Sequence, residues 1–208
     1  QIAQELKLPN YIFDPKYNPS SQPRMGLGYN VMATAGLLTR CHLIDEIPDL
    51  PELTPFLRSA QGDFKKLTNL ALQIVGKIPV FVASEHLKGA AYDLRNQFNE
   101  NAKSFAVWCD LPEAHHHLME GLSFPRSNPQ NLIFVFLNSH FYHPEVQKRY
   151  PVTTEILRKQ KIDFIDFPLA GKNAFFETMY AIQSGACLAY ELAKLNAIDP
   201  GPIPWVNY

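Results

Sequence analysis

Charge of one sign is what this sequence most plainly lacks: 19 Lys and Arg stand against 20 Asp and Glu, a formal net charge of −1. Nucleic-acid binding draws on a basic stripe, so no nucleic-acid partner is expected. Long apolar runs are missing too. No stretch approaches the ~20 residues that span a bilayer, so no membrane partner is expected. The opening QIAQELKLPNYIFDP lacks the basic n-region and apolar h-region of a signal peptide. An initiator Met is also absent, and the chain reads as a piece of something longer. Cysteine is scarce: Cys41, Cys109 and Cys187 are odd in number and far apart. That spacing argues against a disulfide framework and for buried, reduced thiols in a cytoplasmic protein. There is no GxGxxG, no Walker lysine loop and no Gly-x-Ser-x-Gly turn, so nucleotide-binding and α/β-hydrolase readings have no support.

What is present alternates. Proline comes first: Pro9, Pro15, Pro19 and Pro23 fall among Asn, Ser and Tyr, a pattern that excludes a helix and disfavours a central strand. Residues 25–44 then predict a helix, with Leu27, Val31, Ala35, Leu38 and Leu43 near one face. DEIPDLPELTPF reads as a Pro-punctuated connector, which divides the chain into an arm with its helix (1–50) and a main domain (51–208). In that domain DFKKLTNLALQIVGK carries Phe64, Leu67, Leu70, Ala71, Ile74 and Val75 at helical spacing, with Gly76 suited to the C-terminal cap. The short apolar runs IPVFVAS, FAVWC, NLIFVFLN and DFIDFP predict strands. Between them lie helical stretches, one of them expected to kink or break at Pro151, and AFFETMYAIQSGACLAYELAKLN closes the pattern as a long helix. Continuous apolar strands separated by helices imply a three-layer α/β/α sandwich on a mainly parallel sheet of four or five strands.

The chemistry-bearing residues concentrate in NENAKSFAVWCDLPEAHHHLMEG, residues 99–121. His115, His116 and His117 cannot all face one ion from a regular helix, since successive side chains point about 100° apart. A zinc helix needs His at i and i+4, and His42, His86, His140 and His143 sit in other elements. A solvated turn, or one catalytic His with two bystanders, fits better than a metal site. Taken alone, Glu100 is a surface carboxylate, Lys103 a cation favoured at a helix C-terminus, and Arg24 an exposed cation in the arm.

NPSSQPRMGLGY, IPVFVAS, NQFNENAKSFAVWCDLPEAHHHLMEG and AIDPGPIPWVNY together resemble the second half of the bifunctional phosphoglucose/phosphomannose isomerases, from about residue 18 to the end. That family carries two sugar isomerase (SIS) domains. The resemblance implies that Glu100 is the catalytic base, His116 the ring-opening acid/base and Arg24 the cation that stabilises the intermediate. It also implies Lys103, Ser84 and Gly201 as substrate-binding positions, a phosphorylated hexose as substrate, and no cofactor. His115 and His117 stand where the family usually has Asn, and Gly201 where it usually has Thr. The 208 residues end at Tyr208 without a counterpart of the family's closing Leu-Lys, and they hold no counterpart of its first SIS domain. The 208 residues alone are therefore expected to be inactive or nearly so.

Aldose–ketose isomerisation needs a base on the carbon acid, a proton shuttle for the ring oxygen and a cation facing the oxyanion. A carboxylate, an imidazole and a guanidinium meet those needs. The strand between Glu100 and His116 separates them by roughly 16 Å, so Glu100 of one chain is expected to work with His116 of another in a homodimer with composite sites. A non-catalytic sugar-phosphate-binding or dimerisation SIS domain is the alternative.

Overall fold

The structure, a computed structural model, describes residues 2–208 apart from 9, 19, 48, 61–63, 207 and the side chain of Phe64. Pro9 and Pro19, and the side-chain part of the Phe64 assignment, lie outside the described residues. Two compact units emerge, Gln1–Glu52 and Leu53–Tyr208.

In the first unit a one-turn helix α1 (Ile2–Glu5) precedes the prolines that were expected to exclude one. A 3-10 turn (Pro23–Gly26) leads into α2 (Leu27–Arg40). The arm folds back on this helix: Phe13 and Tyr29 stack at 5.0 Å, and the Tyr17 N–H donates to the Tyr29 hydroxyl. None of the five predicted face residues is buried, and Leu43 lies beyond the helix end. Cys41 is exposed, against the expectation of three buried thiols, while Cys109 and Cys187 are half-buried.

The proposed connector contains helix α3 (Leu50–Ser59), with Pro55 inside it. Proline disfavours helix by about 3 kcal/mol in an interior, so something else must hold the segment. Leu53 is buried, and Phe56 packs on Phe176 and Tyr180, at 5.4 and 6.2 Å. Tertiary packing overrides the local signal. Helix α4 (Phe64–Ile74) follows and ends at Gly76, whose φ of 75° is the left-handed cap conformation that glycine adopts without penalty.

Strand β1 (Ile78–Ala83), helix α5 (Lys88–Glu100), strand β2 (Val107–Asp110), helices α6 (Ala114–Gly121) and α7 (Asn128–Asn131) and strand β3 (Leu132–Phe136) come next. Helices α8 (Pro144–Gln147) and α9 (Arg149–Lys159), strand β4 (Asp163–Asp166) and helix α10 (Ala174–Leu195) complete the unit. The break before α9 falls at Lys148 rather than at Pro151. Pro151 occupies the first turn of α9, where its missing N–H has no helical acceptor to lose.

All four strands are parallel, in the order β2-β1-β3-β4. Val107, Val80, Phe134 and Phe164 form one row across the sheet. Phe136, two residues on and so on the same face, packs against Tyr150 of α9 at 5.8 Å. On the opposite face Phe81 meets Phe98 of α5 edge-on at 4.9 Å, and α10 packs across α4 and α5. Each fully buried aromatic of this kind stabilises the fold by roughly 2–3 kcal/mol. Three layers result: α4, α5 and α10, the sheet, then α6 and α9.

Crossovers carry the chain from β1 to β2 in one direction and from β3 to β4 in the other. The order reverses between β1 and β3, the switch point where open α/β sheets tend to bind ligands at their C-terminal edge. Here that point is filled by protein groups. The Ser84 N–H donates to the Tyr142 hydroxyl (3.0 Å), Ser84 Oγ donates to the Leu111 carbonyl (2.9 Å), and Tyr142 Oη donates to the Leu137 carbonyl (2.8 Å). Burial drives the Tyr142 phenol above its ordinary range and pushes Tyr150 up to about 12, so both stay protonated and able to donate.

Candidate active site

Glu100 is the last residue of α5. The helix stops there because the chain turns left-handed at Lys103, with φ of 48°. That turn is held by the Ser104 N–H donating to the Phe98 carbonyl at 3.1 Å. Lys103 then reaches back, and its Nζ donates to the Glu100 carbonyl (2.8 Å) and to the Pro200 carbonyl (3.0 Å). A cation at a helix C-terminus is favoured by the exposed carbonyls and the macrodipole. Pro200 precedes Gly201, whose N–H donates to Asp199 Oδ1 at 2.8 Å. A Cβ at Gly201 would lie 3.2 Å from that same oxygen. The structure thus gathers Glu100, Lys103 and the Pro200–Gly201 turn at the N-terminal edge of the sheet.

The remaining expected site residues are elsewhere. α5 runs back from the C-terminal end of β1 to the start of β2, so Glu100 lies at one edge of the sheet. His116 follows β2, beyond Asp110, which pairs with Ala83, and lies at the other. The three histidines are in helix α6 rather than a turn. His116 and His117 point to solvent, whereas His115 is half-buried against α9. Arg24 belongs to the first unit, in the 3-10 turn, where its Nη1 donates to Gln22 Oε1 at 2.9 Å. Ser84 exposes no surface, and its hydroxyl is spent within the switch-point network. It braces the sheet edge and presents nothing to a ligand in this conformation.

One face of α5 carries polar groups that residue type alone did not single out. Asp93, Gln97 and Asn101 recur at intervals of four, so they lie in a row beside Glu100. Gln97 Nε2 donates to Asp93 Oδ1 (3.5 Å), and Asn101 Nδ2 donates to Gln97 Oε1. Gln97 and Asn101 are buried. Asp93 Oδ2 is buried without a hydrogen-bond partner. Desolvation, with a smaller contribution from the negative charge of Glu100, raises the Asp93 carboxyl to about 6, against the bond from Gln97. The i, i+4, i+8 spacing in DLRNQFNEN is the sequence signal for this row.

Residues 65–208 match the family of bacterial phospho-glucose isomerase C-terminal SIS domains. The chain belongs to that family. It is 28% identical over 187 residues to the bifunctional phosphoglucose/phosphomannose isomerase of Aquifex aeolicus, covering 89% of this chain and 57% of that one. With the enzyme of the same name from Thermoplasma volcanium it shares 29% over 200 residues, covering 94% and 62%. The fold is also that of a glucose-6-phosphate isomerase like protein from Thermus thermophilus, with a TM-score of 0.52 at 24% identity, over 65% of this chain and 43% of the other. The chain therefore spans little more than half the length of the two bifunctional isomerases.

Within this SIS domain a second buried cluster lies just past the β1 and β3 ends. His86 Nε2 is 2.9 Å from Glu177 Oε2 on α10, and Ser139 Oγ donates to the same oxygen. The Phe141 N–H in turn donates to Ser139 Oγ at 3.0 Å. Gly171 is required beside it, because a Cβ there would lie 2.4 Å from the Glu177 nitrogen. These residues are far apart in sequence, so periodicity gave no sign of them. The cluster knits the loops of β1 and β3 to the first turns of α10.

Proposed function

We propose that this SIS domain is the C-terminal half of an aldose–ketose isomerase that interconverts glucose 6-phosphate or mannose 6-phosphate with fructose 6-phosphate through an enediolate. The observation that carries the reading is the built end of α5. There Glu100 terminates the helix, and Lys103 ties that turn to Pro200 in the C-terminal segment. Family membership and the names of the two relatives support the same chemistry.

In this reading Glu100 moves the proton between C1 and C2 of the opened sugar, and His116 opens the ring by protonating its oxygen. Arg24 faces the developing oxyanion, an assignment that rests on the motif match. Lys103 and Gly201 flank the sugar at the base, while Ser84 supports the sheet edge at a distance. The chemistry calls for no cofactor. Glu100 and His116 at opposite edges of one sheet favour a homodimer in which each site takes its base from one chain and its imidazole from the other.

The test is turnover of fructose 6-phosphate by the protein expressed from its whole reading frame, with glucose 6-phosphate and mannose 6-phosphate measured separately. Glu100→Gln is expected to lower both activities by roughly 10²–10⁴ with an unchanged melting temperature. Mixing Glu100→Gln with His116→Ala chains should restore activity in the mixed dimer. Sugar phosphate bound without turnover would instead make this a binding domain, and a fully active Glu100→Gln protein would refute the assignment.

A further inference from the structure

Among the described residues, His115 is the member of the histidine triplet that hydrogen bonds hold to the rest of the fold. Its Nε2 lies 2.8 Å from Thr153 Oγ1 and its Nδ1 lies 3.3 Å from Arg149 Nη1. Thr153 is buried in α9, and its hydroxyl donates to the Arg149 carbonyl at 2.8 Å.

Counting protons fixes the state of the ring. A carbonyl only accepts, so the single hydroxyl proton of Thr153 is committed to the Arg149 oxygen. Thr153 Oγ1 must therefore accept from His115, which places a proton on Nε2. A guanidinium only donates, so the nitrogen facing Arg149 carries no proton. Both constraints select one species, the neutral imidazole protonated at Nε2. Partial burial, then the charge of Arg149, then His116, lower the proton affinity of His115 in the same direction. Among the described residues, Arg149 from α9 faces the ring and His116, the next residue of its own helix, acts on it through charge, while Thr153 is its neutral partner.

The contact joins the second residue of α6 to α9. Further along, Gln160 Nε2 donates to the Met119 carbonyl at 3.2 Å, so α6 is fastened to α9 at two points. With the His115 ring turned inward, the next residue, about 100° round the helix, is turned out. We infer that His115 is a positioning residue: as the neutral Nε2–H tautomer it clasps α6 to α9 through Thr153 and Arg149, and so fixes the turn that presents His116. This rests on the reading of His116 as the ring-opening acid/base. Protonation puts a hydrogen on Nδ1 opposite the guanidinium, which removes one bond and sets two cations against each other. The clasp opens in acid and holds at neutral pH.

Two measurements test this, one independent of turnover. Imidazole nitrogen NMR of the 208-residue chain should show His115 with a protonated Nε2 and a bare Nδ1 at pH 7.5. It should resist protonation to lower pH than an unperturbed imidazole. A protonated Nδ1, tautomeric averaging, or protonation at the ordinary imidazole pH would overturn the clasp. In the isomerase assay His115→Ala should lower kcat roughly tenfold or more with KM unchanged. His115→Asn, which keeps a donor for Thr153 and cannot titrate, should recover part of that loss and remove one protonation from the acid limb of the kcat profile. A lowered melting temperature with kcat and its pH profile intact would make His115 merely structural and overturn the inference. If His116→Ala retains full turnover, the reading of His116 as the ring-opening acid/base has failed instead, and the NMR result still decides the clasp.

Discussion

Gly185 lies on α10 where it crosses α5, and a Cβ built there would sit 2.4 Å from Leu94 Cδ1 and 2.5 Å from Leu94 Cγ. Leu94 is fully buried, so it has no solvent-side space into which to swing. In an ordinary helix interior Gly→Ala gains about 1 kcal/mol from propensity. Here overpacking opposes that gain at about 1–3 kcal/mol. Contacts this short, on the branch carbon as well as the tip, belong at the upper end of the range. Gly185→Ala should therefore destabilise the domain by about 2 kcal/mol, a fall in melting temperature of roughly 4–8 °C for a unit of this size. The assay is thermal and urea unfolding in two backgrounds. Leu94→Ala alone should cost about 2–5 kcal/mol. Adding Gly185→Ala to it should stabilise, because the clash is gone and the propensity gain remains. A rise in melting temperature for Gly185→Ala in the parent background, or the same change in both backgrounds, would refute the close-approach account. Since α5 carries Glu100, the proposed base, the single variant should also lower kcat if the proposed isomerase function holds, with recovery in the double variant.

Asp93 binds its proton more tightly folded than unfolded, about 6 against 3.8. The native state therefore holds more protons between these values, and stability falls as pH rises through roughly 4 to 6 and stays lower above. Asp93→Asn should flatten that window and gain up to about 3 kcal/mol at pH 7, read from urea midpoints at pH 4.5 and 7; parallel pH curves for the two proteins would defeat it. Ser84→Ala should cost about 1–2 kcal/mol through the bonds to Leu111 and Tyr150, yet leave KM for fructose 6-phosphate unchanged. A tenfold rise in KM without loss of stability would restore Ser84 as a substrate contact.

The sheet was readable from residue pattern because its strands are buried on both faces: IPVFVA and LIFVF carry no polar interruption, and parallel pairing follows from the helices between them. α10 was readable by length. What escaped the pattern were segments whose shape depends on distant partners. α3 forms in a proline-rich stretch because Phe56 finds Phe176 and Tyr180. The break in the α8–α9 region moved to Lys148 because Pro151 is harmless in a first turn. For the candidate site, NENAK and the histidines could be named from spacing, and the strand between them already separated Glu100 from His116. The Asp93–Gln97–Asn101 row was legible in principle, since it needs only helical periodicity. By contrast, the sealing of Ser84 by Tyr142 and Tyr150, and the Glu177–His86–Ser139 cluster, need the crossovers before they can be seen.

The bond from Lys103 to the Pro200 carbonyl also has a mechanical side. A load applied at the C-terminus has a path through Pro200 and Lys103 into the carbonyl of Glu100, the backbone of the proposed base. Tethering the protein to a bead or surface through that end should thus slacken or strain the turn after α5, and, on the proposed reading, turnover should vary with tension. Attachment through an exposed side chain of α9 gives force no such route. Single-molecule and immobilised formats of this protein should accordingly be anchored there, with the C-terminal segment left slack.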